Sequence, residues 1–158
     1  MGLCDISWLR RGESVDEQGE RAIDKIADAI CRDLRALGLF VEAKKYGPDF
    51  CEIVASSSRK MITRPDGKEA SGVALLLAGA YDPPTLVFEE INSLKPGLGR
   101  QMVGAVLGGL KAHPGVFERI RVDDASPRSG DGRRWWERVA ASHTEFEWVI
   151  THDEDRER

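Results

Sequence analysis

The sequence predicts one mixed α+β domain, in which a mostly antiparallel sheet is flanked by helices. Its 158 residues fit a single domain and suffice to bury a core. Its apolar fraction of 41% and charged fraction of 32% are those of a folded chain. Short apolar runs, divided by turn signals, alternate with segments of helical periodicity, an order typical of antiparallel strands interrupted by helices.

The first half of the chain predicts a strand, a long helix and a meander. Weak alternation indicates a strand over residues 4–10. Ser14 and Glu17 match a capping box, and apolar residues at helical spacing extend the helix until Gly38 ends it. Turn signals then divide the next segment into three antiparallel strands, at residues 50–58, 72–78 and 85–91.

The second half alternates between helices and strands. A glycine-rich turn at residues 95–100 opens an amphipathic helix that ends near His113. A strand, a short helix and a last strand follow, at residues 117–123, 133–142 and 146–150. The domain is thus predicted over residues 1–152, with a charged tail at 153–158. The open edge of the last strand would allow pairing with a second copy in a homodimer.

Composition excludes several classes of function. The net charge of −4 argues against a nucleic-acid partner, because binding the phosphate backbone needs a basic surface. No apolar run reaches the roughly 20 residues that span a bilayer, and the N-terminus lacks the features of a secretory leader. Cys4, Cys31 and Cys51 have neither disulfide nor zinc spacing, and we expect buried thiols, no metal and a cytoplasmic protein.

The turn at residues 96–100, Pro-Gly-Leu-Gly-Arg, is the main candidate for a binding site. Glycines allow close approach of a ligand to the backbone, and the first N–H groups of a helix favour an anion such as a diphosphate. Lys95 and Arg100 would add positive charge at its rim. The alternative is a tight turn whose glycines serve packing only. The spacing fits neither a P-loop nor a dinucleotide-binding turn.

With these elements and this turn, the chain resembles the GNAT superfamily of N-acyltransferases. The predicted order matches that family's β-α-β-β-β-α-β-α-β core over nearly the whole chain. Residues 94–99 align with the family's R/Q-x-x-G-x-G/A signature and match its last four positions. Residues 133–139 look like the family's late helix, in which an aromatic pair precedes the turn into the last strand.

The resemblance implies an acyl-CoA-dependent N-acyltransferase that moves an acetyl group from acetyl-CoA, or another acyl group, to an amine of a small molecule or protein. The pantetheine of the acyl-CoA would run along the strand that ends at Ile91, with Lys95 near the phosphates and Trp136 lining the cofactor. The pyrophosphate would lie on the amides of Gly97, Leu98, Gly99, Arg100 and Gln101.

Two positions depart from the family's pattern. Leu94 stands where the signature has Arg or Gln, which removes one contact to the phosphates. Trp136 stands where the late helix often supplies a tyrosine acid, and an indole N–H cannot deliver a proton near neutral pH. The alternative function is therefore a catalytically silent domain that binds acyl-CoA or a protein partner.

Carboxylates at strand ends are the candidates for a catalytic base. Glu89 and Glu90 close the third meander strand, and simple alternation would put them on opposite faces. Asp123 and Asp124 close the next strand and are a second pair of candidates. Burial would raise the pKa of such a carboxylate toward the range of a base. Each is otherwise explained as a solvated charge at a strand end.

Overall fold

The computed structural model describes residues 21–59, 70–123 and 132–151, without the side chain of Arg133. Within these ranges the order is α1 (Ala22–Ala36), β1 (Phe40–Lys45), β2 (Phe50–Ser56), β3 (Gly72–Ala78), β4 (Thr85–Asn92), α2 (Leu98–Lys111), β5 (Arg119–Val122), α3 (Gly132–Ser142) and β6 (Glu147–Ile150). This six-stranded mixed sheet with its helices confirms the predicted fold class.

The strands lie side by side in chain order, from β1 to β6. β1, β2, β3 and β4 are antiparallel neighbours, which confirms the predicted meander and adds a strand to it. β1 was not predicted, because most of its side chains are exposed and it carries no apolar alternation. β4, β5 and β6 are parallel, and α2 and α3 connect them.

The first described helix, α1, begins later than predicted. Its N-cap is Arg21, in an extended conformation, so the predicted start at Ser14 was wrong for this helix. Gly38 follows its end with a φ of +86°, as a glycine C-cap predicts. The buried face repeats at helical spacing through Ile26, Ile30 and Leu34. Ser14, Glu17, the strand predicted at residues 4–10 and the tail at 153–158 lie outside the described residues.

The core is formed where α1 and α2 pack on each other and on one face of the sheet. A glycine permits this close contact: a Cβ built on Gly109 of α2 would lie 2.6 Å from Cγ1 of Ile30 on α1. β3 is buried on both faces, as its continuous apolar run predicts. The largest side chains at the centre come from β3, β4 and β5 and include Leu75, Phe88 and Ile120.

Candidate functional site

The pairing of β4 with β5 ends where β5 ends, at the edge of the sheet that holds the carboxyl ends of the parallel strands. Their register runs from Thr85 opposite Arg119 to Phe88 opposite Val122, and the amide of Asp123 then donates to the carbonyl of Phe88 (3.0 Å). β4 continues to Asn92 beyond this point. Ligands of sheets with parallel strands bind outside the carboxyl ends of those strands. The edge next to Phe88 is therefore a candidate for a ligand site.

The other parallel pair ends in the same way at this edge. The backbone N–H of Thr151, which follows β6, donates to the carbonyl of Val122 at 3.0 Å. Its hydroxyl donates to the same carbonyl at 2.9 Å and to the carbonyl of Asp123 at 3.1 Å. Both parallel pairs thus end with one backbone hydrogen bond beyond the register, and β4 differs in that it runs on to Asn92.

A β-bulge interrupts β4 directly after Phe88, the last residue in register with β5. Ala74 of β3 faces Glu90, whereas the next residue, Leu75, faces Phe88, so Glu89 is the extra residue of the bulge. Residues paired across two strands share a face of the sheet, and the neighbours Ala74 and Leu75 point to opposite faces. Glu90 therefore lies on the face opposite Phe88, away from the core under α2. The expectation that alternation alone separates Glu89 from Glu90 was therefore wrong, because the bulge breaks the alternation at this step.

The candidate bases differ in their surroundings. Oε1 of Glu89 is buried from solvent, and Glu90 is half-buried. Asp123 is held by Arg121, with Nε 2.7 Å from Oδ1 and Nη2 3.4 Å from Oδ2. This hydrogen bond to Asp123 is the main cause that raises the pKa of the Arg121 guanidinium. Asp124 lies outside the described residues. Of the described candidates, Glu89 and Glu90 lie on the part of β4 that runs on beyond its last residue paired with β5.

The segment between β4 and α2 is tied down by side chains of serine. The hydroxyl of Ser93 donates to the carbonyl of Lys95 at 2.6 Å, and Ser71 accepts a hydrogen bond from the backbone N–H of Leu94 at 2.8 Å. The side chain of Leu94 itself is 50% exposed, where the family signature has Arg or Gln. These bonds fix the backbone that leads into α2 without any contribution from the side chain of Leu94.

The helix begins as the glycine-rich turn predicts. Gly97 is the N-cap of α2 and has a φ of +83°, a left-handed conformation that favours glycine. A Cβ on Gly97 would meet nothing within 4 Å, so the backbone there is open. Gly97 has no side chain to cap the first amides, and Lys95 and Arg100 are exposed beside them. Leu98 is half-buried and Gln101 is exposed in the same turn.

Gly99 lies between two side chains. A Cβ at this position would be 3.5 Å from Cβ of Ser93 and 3.7 Å from Cζ2 of Trp135, which are ordinary van der Waals distances. Packing therefore does not require glycine at this position, unlike the contact of Gly109 with Ile30. This difference counts against the alternative in which both glycines of the turn serve packing only.

The two adjacent tryptophans of α3 have different environments. Trp136 is 2% exposed and packs on Phe88, with ring centroids 5.0 Å apart. Trp135 is half-buried and meets Trp136 edge to face, at 4.9 Å and 84°. The sequence indicated that one of the pair is in the core without deciding which. Trp136, the predicted cofactor contact, is the core residue, and the aromatic surface beside Gly99 belongs to Trp135.

Ile91 and the thiols complete the predicted residues. Ile91 is half-buried opposite Val73 and packs on the core. Cys31 and Cys51 are buried, as predicted, and burial raises the pKa of the Cys51 thiol to about 11. Neither thiol has the lowered pKa of a nucleophilic cysteine. Cys4 lies outside the described residues.

A small cavity lies at the opposite edge of the sheet, where β4 and β5 begin. Gly79, Pro84 and Phe117 are among its lining residues. Its charged lining residue, Asp49, is 3.8 Å from a guanidinium nitrogen of Arg21. The cavity is therefore separate from the glycine-rich turn.

Among the described residues, no three His, Cys, Asp or Glu side chains are placed together to hold a metal ion. None of the described helices has the length and apolar character that a membrane span needs.

Comparison of the chain with protein-family models, curated proteins and solved structures finds no match. The functional assignment therefore depends on the residues and the geometry described above.

Proposed function

We propose that this chain binds an acyl-CoA where β4 runs on beyond the end of β5 and transfers its acyl group to an amine. The observation that carries this proposal is the coincidence of two features at one edge: the register of the parallel pair ends at Phe88, and α2 begins nearby with an open, glycine-capped turn. A strand that runs on past its parallel neighbour, beside a helix N-terminus, suits a ligand that has both a diphosphate and an extended arm.

The diphosphate is assigned to the amides of Gly97, Gly99 and Arg100. The predicted amides of Leu98 and Gln101 already donate to the carbonyls of Lys95 (3.2 Å) and Gly97 (3.1 Å). The first N–H groups of α2 carry the positive end of the helix dipole, and the backbone at Gly97 is open to approach. Lys95 and Arg100 are exposed on the same turn and add two positive charges. Together they offset the absence of the signature's Arg or Gln at Leu94.

The arm of the ligand is assigned to the edge of β4 that runs on to Asn92, with the thioester near the bulge. There the acceptor amine loses a proton to Glu89 or Glu90, directly or through water. Its nitrogen attacks the thioester carbonyl carbon, a C–N bond forms and the C–S bond breaks. CoA leaves as the thiolate, which then takes up a proton. The acceptor is an amine of a small molecule or a protein.

A second candidate, a domain that binds acyl-CoA without chemistry, is favoured by the burial of Trp136. The family's tyrosine acid would stand at this position, and a buried indole cannot protonate the departing thiolate. The two candidates share the binding site and differ only in turnover.

Thermal unfolding with acetyl-CoA tests the binding that both candidates require. At a ligand concentration near 100 times Kd, a stabilisation of about 2.7 kcal/mol is expected, which corresponds to a rise in Tm of roughly 5–10 °C. Absence of any rise at millimolar acetyl-CoA would exclude both candidates. Release of free thiol over a panel of amines then separates the enzyme from the silent domain. The base is the glutamate whose Gln variant keeps the rise in Tm and loses about 100-fold or more in thiol release.

Arg100→Glu tests the location of the site. Acetyl-CoA should bind about tenfold more weakly or worse, because a carboxylate replaces a cation beside the phosphates. The fold should be retained, since an acidic residue in the first turn of a helix is favourable. Arg32→Glu, on the exposed face of α1, makes the same change of charge elsewhere. Equal weakening by both variants would mean that net charge, and not the turn, determines binding.

A further inference from the structure

Trp135 lies on α3 beside the first turn of α2. Its Cζ2 atom is 3.7 Å from the position that a Cβ of Gly99 would occupy, and Ser93 lies on the other side of that position. The indole is only half-buried, so part of its surface is exposed to solvent. An apolar surface in this place borders any molecule that lies along the glycine-rich backbone.

Trp135 packs against a layer of aromatic side chains. Its ring meets Trp136 edge to face at 4.9 Å, Trp136 packs on Phe88 at 5.0 Å, and Trp148 of β6 lies 6.4 Å from Trp136. Phe88 is the last residue of β4 in register with β5. The layer thus runs from the turn to Phe88, where the pairing with β5 ends, and Trp135 packs against it.

We propose that Trp135 forms the α3 wall of the acyl-CoA site and contacts the pantetheine arm. The inference rests on the proposed function, because it takes the diphosphate to lie at the turn. An arm that leaves the turn and runs along β4 toward Phe88 passes close to the indole, which lies next to Gly99 and is linked to Phe88 through Trp136. Trp135 then sets the affinity for ligands that carry the arm, and contributes little to the binding of a nucleotide without it.

The test compares CoA with adenosine diphosphate, which has the diphosphate and lacks the arm. In Trp135→Leu the affinity for CoA should fall about tenfold, and the affinity for adenosine diphosphate should change by less than about twofold. Trp148→Phe is the matched control, because Trp148 belongs to the same layer at its far end from the turn. It should leave both affinities within about twofold of the unchanged chain.

The outcomes separate this inference from the proposed function. If the unchanged chain binds CoA and Trp135→Leu binds it equally well, the role of Trp135 is overturned and the proposed function stands. Equal weakening of CoA and adenosine diphosphate would assign the indole to the nucleotide and overturn the contact with the arm. If the unchanged chain binds no CoA, the proposed function fails and this inference fails with it.

A second variant covers the case in which Trp135→Leu does not fold. Trp135→Phe keeps an aromatic ring against Trp136 but removes the atom nearest Gly99. A smaller loss of CoA affinity, with that of adenosine diphosphate unchanged, supports the inference. Unchanged affinity for CoA in this variant overturns it.

Discussion

The two ends of α2 use glycine for different physical purposes. At its C-terminal end, Gly109 lets α1 approach, because a Cβ there would lie 2.6 Å from Ile30. At its N-terminal end, Gly97 supplies a left-handed conformation with empty space around it. Gly109 thus serves the packing of the core, whereas Gly97 serves an open stretch of backbone. Substitutions along this helix therefore separate stability from binding.

The largest effect on stability is expected for Gly109→Ala. The added methyl group forces Ile30 or the helix axis to move, and overpacking of this kind costs about 1–3 kcal/mol, more than the helix propensity of alanine returns. The contact is with Cγ1 and not with the end of the Ile30 side chain, so we expect a cost near the upper end of this range, about 3 kcal/mol. Less about 1 kcal/mol of helix propensity, urea unfolding should show a net loss of about 2 kcal/mol. The double variant Gly109→Ala with Ile30→Ala should lose less than the sum of its two single changes, because the second removes the clash. An additive result would contradict the contact between α1 and α2.

The sequence predicted features set by local backbone requirements better than features set by tertiary contacts. The turn, its glycines and the start of α2 are set by local backbone requirements, and the pattern located them within a residue or two. β1 was missed because an exposed strand has no apolar alternation. The start of α1 was misplaced because Ser14 offered a capping pattern that the helix does not use.

Details of the candidate site depend on contacts between distant segments. The bulge at Glu89 is defined by how β4 pairs with β3, and no residue type within β4 predicts it. Trp136 is the core member of its pair because Phe88 lies against it, and the spacing within α3 fits either choice. Both features depend on contacts within the assembled sheet, so the residues of β4 or α3 alone do not predict them.

Gly97→Ala should have an intermediate effect on stability. A left-handed conformation costs a residue with a Cβ roughly 1–2 kcal/mol, and no clash adds to it because the space around Gly97 is open. Gly38→Ala is the matched control: it has a φ of +86°, equally open surroundings and a place at the end of α1. Urea unfolding should give similar losses for the two variants. If the proposed site is correct, only Gly97→Ala also weakens the binding of acetyl-CoA.

The smallest effect, and the one of opposite sign, is expected for Gly108→Ala. Gly108 is the neighbour of Gly109 on α2, but it is exposed and a Cβ there would meet nothing within 4 Å. Alanine in an exposed helix interior is favoured over glycine by about 0.8–1 kcal/mol, because it lowers the entropy of the unfolded chain without disturbing the folded one. Unfolding in urea should therefore show a gain of about this size, with no change in acetyl-CoA binding. A loss of stability at Gly108 would mean that this face of α2 is covered, and the division of the helix into a packed glycine and an open one would then fail.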